Sequence, residues 1–122
     1  MSNEETIVGI VDDDPEIRIA MARLLSVFGY GAETFDSAET FLVRASTSKV
    51  TCLLLDIQLG DISGIELAHK LAADGFKFPI MFMSGLNDVV IRSQAAAAGG
   101  FAFLHKPFPA KELIDAIKLV FG

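Results

Sequence analysis

The run Val50-Thr51-Cys52-Leu53-Leu54-Leu55-Asp56 constrains this chain most, because a nearly continuous apolar stretch stops abruptly at a carboxylate. A strand apolar on both faces belongs in the middle of a parallel sheet, and open parallel sheets place their chemistry just beyond the carboxyl ends of their strands. Position alone therefore puts Asp56 in a site. A second apolar stretch, Ile7 to Val11, runs into Asp12, Asp13 and Asp14, and a third segment ends in Leu104, His105, Lys106 and Pro107. If the first two strands are neighbours, their tips lie about 5 Å apart. Carboxylates from both then converge, with a lysine close by.

Taken in order, the chain alternates. Asp14 before Pro15 reads as an N-cap followed by the first helical position, which leaves Asp12 and Asp13 without a structural duty. The helix carries Ile17, Met21, Leu24, Leu25 and Phe28 at helical spacing and stops at Gly29. Gly31 to Phe35 alternates as a half-exposed edge strand, and Ser37 caps a second helix holding Phe41 and Leu42. After Asp56 comes a loop over 57–62, and Ser63-Gly64-Ile65-Glu66 is a capping box that opens a third helix with Leu67 and Leu71 inward. Pro79 to Met83 forms another buried strand, delivering Ser84 and Gly85 to the same sheet edge. Asn87 or Asp88 starts an alanine-rich helix ending at Gly99 and Gly100, and Phe101 to Leu104 is the fifth strand. Lys106-Pro107-Phe108-Pro109 then leads into a last helix with Leu113, Ile114, Ile117 and Val120 on one face. Strand and helix alternating in this way argue for a doubly wound parallel α/β sheet.

Bulk properties narrow the function. At 122 residues and 52% hydrophobic, the chain suits one domain over 1–122, burying roughly two-thirds of its unfolded surface. A formal net charge of −6 and a pI near 4.7 offer no clustered Lys and Arg for phosphate backbones, so nucleic-acid binding by this chain is excluded. The start, Met1 to Glu5, is polar and acidic, and no apolar run approaches the ~18 residues of a membrane span. The expectation is a cytoplasmic protein. Cys52 is the only cysteine and lies inside the apolar strand, which excludes a disulfide framework. His69 is expected on an exposed helix face and His105 beside the pocket, and with Cys52 they are too dispersed for a zinc site.

The strand ends thus gather Asp12, Asp13, Asp56, Ser84 and Lys106. Unshielded carboxylates this close would raise each other's pKa, so a hard divalent cation is the natural counter-charge, and Mg²⁺ prefers carboxylates, waters and phosphate oxygens. With that charge neutralised, one carboxylate could attack phosphorus while lysine and hydroxyl hold the equatorial oxygens.

On these residues the chain resembles, over nearly its whole length, the CheY-like receiver domain of two-component response regulators. The acid pair after the first strand is Asp12 and Asp13, the phosphoacceptor position ending the third is Asp56, the Ser/Thr ending the fourth is Ser84, and the family's lysine is Lys106. Ile10-Val11-Asp12-Asp13-Asp14, Ser37-Ala38-Glu39-Thr40-Phe41-Leu42 and Ser84-Gly85 look like the FixJ-type branch. The resemblance implies a flavodoxin-like (βα)5 sheet of order 2-1-3-4-5. It implies that Asp56 takes a phosphoryl group from a sensor histidine kinase or phosphotransfer protein. Mg²⁺, with Mn²⁺ as a substitute, would be held by Asp13, Asp56 and the Gln58 carbonyl, with Asp12 acting largely through metal-bound water. Ser84 would close on the phosphoryl group, Phe103 would swing inward without the hydroxyl of a tyrosine, and the Lys106-Pro107 bond would be cis.

The family's loop after the phosphoacceptor usually reads Met-Pro, and here it is Leu59-Gly60. Gln58 stands where the family tunes dephosphorylation, and residues 93–104 carry no formal charge. The uncharged face from the fourth helix through the fifth is therefore expected to serve a homodimer or another partner. No output domain is expected after the last helix, so a stand-alone regulator and an excised receiver both stay open. Kinase pairing is expected to rest on first-helix residues such as Arg18, Ala22 and Arg23.

Three rivals are weighed. Asp12-x-Asp14 imitates the nucleophile motif of haloacid-dehalogenase phosphatases, but it leaves Asp56 idle. A flavodoxin-type protein needs a hydroxyl- and glycine-rich phosphate loop where three aspartates stand. A pseudo-receiver, keeping only the fold, is at odds with the intact acid set.

Overall fold

The computed structural model describes residues 5–121; the acidic start up to Glu4 and the terminal Gly122 lie outside the described residues. Five strands alternate with five helices: β1 (Ile7–Val11), α1 (Pro15–Val27), β2 (Gly31–Phe35), α2 (Ala38–Arg44), β3 (Cys52–Asp56), α3 (Gly64–Ala73), β4 (Ile80–Ser84), α4 (Val89–Ala97), β5 (Gly100–His105) and α5 (Ala110–Phe121). They build one parallel sheet in the order β2-β1-β3-β4-β5. All of β3 and β4 is buried, while β2 stays half-exposed at its edge. Helices cover both faces, which is why the central strands read as unbroken apolar runs instead of alternating ones.

Period-two alternation sorts the strand residues between two cores. Leu53, Leu55, Phe82 and Phe103 face α2, α3 and α4, whereas Cys52, Leu54, Met81, Met83 and Leu104 face α1 and α5. Burial pushes the Cys52 thiol up to about 12, so it stays a neutral apolar filler. No described helix is long and apolar enough to cross a membrane.

Local chemistry sets the helix starts. Asp14 caps α1 by accepting from the Glu16 N–H, Ser37 caps α2 at Thr40, Ser63 caps α3 at Glu66, and Asp88 caps α4 at Ile91. Gly29, Gly75 and Gly99 take the left-handed conformation just past helix ends.

Periodicity overreaches at three places. Phe28 and Val120, expected on the inner faces of their helices, are 44% and 40% exposed. α1 ends at Val27, so Phe28 is already its C-cap, and at the end of α5 Phe121, not Val120, packs against the core. β5 begins at Gly100 rather than Phe101, and a register shift opposite Ile80 and Met81 accommodates the extra residue. A Cβ at Gly100 would lie within 2.5 Å of the Phe82 ring, so glycine lets the strand start there.

Candidate functional site

Parallel pairing aligns Val11 with Leu55, and Asp56 with Met83. The strand ends therefore open side by side, and the residues that follow them meet. One carboxylate oxygen from each of Asp12, Asp13 and Asp56 lies within 4.8 Å of the other two. Asp12 and Asp56 are 0% and 4% exposed, while Asp13 faces solvent at the mouth.

Lys106 closes the cluster from the end of β5. Its ammonium stands 2.9 Å from Asp12 Oδ2 and 3.2 Å from Asp56 Oδ2, and the Lys106-Pro107 peptide is cis. The other oxygens are also engaged: Asp12 Oδ1 accepts from the Asp14 N–H at 2.9 Å, and Asp56 Oδ1 from the Gln58 N–H at 3.1 Å. Burial holds the Asp56 carboxyl above its usual range, with the Asp12 charge adding to the rise and Lys106 opposing it. Burial alone would lower Lys106, but its bond to Asp12 and the charge of Asp56 outweigh that and raise it. Three carboxylates against one ammonium leave the pocket net anionic.

Every donor in this set is a hard oxygen, which suits a Mg²⁺-sized cation and disfavours zinc. Ser84 is fully buried at the end of β4; its hydroxyl points to Gln58 Oε1 at 3.4 Å and accepts from the Leu86 N–H at 2.9 Å. Phe103 is half-buried, two residues short of the strand end, on the sheet face that carries α4. His105 is exposed, with Nε2 3.2 Å from the Gly85 carbonyl, and His69 is exposed on α3. Arg18, expected only as a pairing residue, also donates to the Asp12 carbonyl at 2.7 Å. Asp14 stands outside the three-carboxylate group, with its Oδ1 capping α1 by accepting from the Glu16 N–H.

Two contacts escape sequence reasoning. The Asp61 carboxylate accepts from the Glu39 N–H at 3.0 Å and the Ala38 N–H at 3.4 Å, pinning the loop after β3 to the start of α2. Arg92 of α4 lies over the Phe103 ring, 4.8 Å from its centroid. Both join residues remote in sequence or on different elements. The only sequence hint for Asp61 is an acid in a loop that lacks the customary proline.

A doubly wound sheet of order 2-1-3-4-5 with an acidic pocket beyond its strand ends defines the class as a flavodoxin-like α/β domain of the receiver type. The chain belongs to the response regulator receiver domain family, which it matches over residues 8–118. It is 36% identical over 110 residues to the transcriptional regulatory protein TdiR of Thauera aromatica, covering 90% of this chain and 48% of TdiR. It is 35% identical over 118 residues to the response regulator protein TmoT of Ectopseudomonas mendocina, covering 97% of this chain and 54% of TmoT. The chain thus spans about half the length of these curated relatives. The crystal structure of FixJ-N superposes with a TM-score of 0.86 at 33% identity, over 93% of this chain and 90% of that one. Receiver domains are signalling modules of two-component systems, not substrate-turnover enzymes, and the phosphoacceptor role follows from the family. The family binds Mg²⁺ at an acidic pocket and works with histidine kinases or phosphotransfer proteins.

Proposed function

We propose that Asp56 is the phosphoacceptor. The observation that carries the reading is its split set of partners, with Oδ1 on the Gln58 N–H and Oδ2 facing Lys106. A carboxylate held in this way has a fixed orientation and an ammonium beside the place where a phosphoryl group would sit. An Asp56 oxygen forms the O–P bond, the N–P bond of the kinase phosphohistidine breaks, and its electron pair stays on the imidazole nitrogen. Lys106 meets an equatorial phosphoryl oxygen, and the Ser84 hydroxyl turns from Gln58 to another. Asp12, Asp13, Asp56 and the Gln58 carbonyl would hold Mg²⁺, or Mn²⁺ in its stead, which neutralises the carboxylates and the incoming phosphoryl oxygens. In self-phosphorylation from a small acyl phosphate the same Asp56 oxygen forms the O–P bond, the donor's own O–P bond breaks, and its carboxylate leaves with the electron pair. Attack of water on phosphorus later returns the carboxylate and inorganic phosphate.

The switched surface is α4-β5-α5, with Phe103 moving inward as Ser84 closes. Val89 and Val90 on α4, 80% and 63% exposed, support a homodimer or partner contact there. We place the protein in the cytoplasm with its kinase. Because TdiR is a transcriptional regulatory protein, transcriptional output is the response we assign to the whole protein.

Intact-protein mass after incubation with Mg²⁺ and acetyl phosphate tests the reading. One labile phosphoryl gain is expected, absent with EDTA and in Asp56→Asn. No gain in the native chain would favour a pseudo-receiver.

A further inference from the structure

Phe103 packs its inner side against the apolar cluster shared with Phe82 and Ile91 and has no hydroxyl by which to be held. Its outer face meets Arg92, at 4.8 Å from guanidinium carbon to ring centroid, inside the ~6 Å over which an aromatic face attracts a cation. The same guanidinium donates through Nη1 to Asn87 Oδ1 at 2.7 Å. Asn87 lies in the loop between β4 and α4, and that loop is tied back to the pocket, where the Leu86 N–H donates to Ser84 Oγ. A continuous set of contacts therefore runs from Ser84 through Leu86, Asn87 and Arg92 to the ring.

We infer that Arg92 is a positioning residue of the switch, holding Phe103 in its half-buried place and coupling that hold to Ser84 through Asn87. The inference rests on the phosphoacceptor reading above. When the Ser84 hydroxyl turns to a phosphoryl oxygen, Leu86 and Asn87 follow it and the Asn87-Arg92 bond is lost. A guanidinium without its second partner is no longer fixed over the ring, and the ring is released. Ala95, Ala96, Gly100 and Ala102, with Phe101 and the ring itself, border a groove of about 300 Å³, so one side of Phe103 is open. The cation does here what a tyrosine hydroxyl does for an aromatic with a polar tip: it gives the ring a polar partner whose loss can be signalled.

The test is ¹⁹F NMR of 4-fluorophenylalanine placed at position 103, with and without Mg²⁺ and beryllofluoride as the phosphoryl mimic. In the otherwise native chain the resonance should move on activation. In Arg92→Met and in Asn87→Ala the unactivated resonance should already lie part of the way towards the activated position. The expected gain in the released population is about two- to fivefold, the equilibrium equivalent of one cation–π contact. Arg92→Lys should recover part of the loss, and the double variant should go no further than Arg92→Met alone. Both residues are exposed, and an unchanged unfolding midpoint will separate the effect from misfolding. A native resonance that moves on activation with identical populations in Arg92→Met would overturn the inference and leave the phosphoacceptor reading intact. A native resonance that never moves would overturn the inference together with the inward swing of Phe103, while the phosphoryl gain at Asp56 is read separately by intact mass.

Discussion

Asp12 and Asp56 are two carboxylates sharing an interior, and Lys106 is what makes that tolerable without metal. Removing one partner of a buried ion pair leaves uncompensated charge, at a cost of roughly 3–5 kcal/mol. Lys106 is part-exposed, so Lys106→Met should lower metal-free stability by about 3 kcal/mol, the low end of that range. Urea unfolding should show the loss shrinking when Asp56→Asn is added, because one of the two repelling charges is then gone. Asp61 offers a separate test. Loss of hydration pushes its carboxyl up, but the backbone N–H groups of Glu39, Ile62, Asp61 itself and Ala38 outweigh that and hold it below the usual range. Asp61→Ala should cost about 1 kcal/mol at neutral pH. A lowered folded pKa gives stability that is present above the unfolded value of about 3.9 and lost as pH falls through the folded one. The gap between native and variant should therefore close on acidification, as urea titrations at pH 7 and pH 3 would record. Asp12, Asp13, Asp56, Ser84 and Lys106 are legible in the sequence because each stands at or just beyond an apolar run. Asp61 and Arg92 are not, because their partners lie on other elements and no local pattern marks the pairing.

At the scale of elements, the caps carry most of the legibility. Asp14, Ser37, Ser63 and Asp88 each fix a helix start through a bond within a few residues, and such bonds are written in local sequence. The faces of α1 and α5 are less legible at their ends, since there the neighbours Tyr30 and Phe121 join the core while Phe28 and Val120, which keep the helical spacing, stay largely exposed. The packing of α3 on β3 is tight enough to test. A Cβ on Gly64 would lie 3.1 Å from the Asp56 carbonyl carbon and 3.2 Å from Ile57 Cα, and closer still to the Asp56 carbonyl oxygen. Backbone cannot yield as a flexible side chain can. Gly64→Ala should therefore cost about 1–3 kcal/mol and, by displacing the end of β3, slow phosphoryl uptake. Thermal unfolding together with the rate of mass gain would check both.

For the whole molecule, alternation of apolar runs and capped helices was enough to read the doubly wound sheet. The order β2-β1-β3-β4-β5 needed the resemblance, because periodicity says nothing about which strands are neighbours. That order brings Asp12, Asp13 and Asp56 together, since it seats β1 beside β3. The measurement that bears most directly on Asp56 is where the phosphoryl group resides. The chain would be phosphorylated with acetyl phosphate and Mg²⁺, the acyl phosphate reduced with borohydride to homoserine, and the peptides sequenced by mass spectrometry. Homoserine at position 56 alone is the expected result, and homoserine at position 12 or 13 with Asp56 unchanged would contradict the assignment.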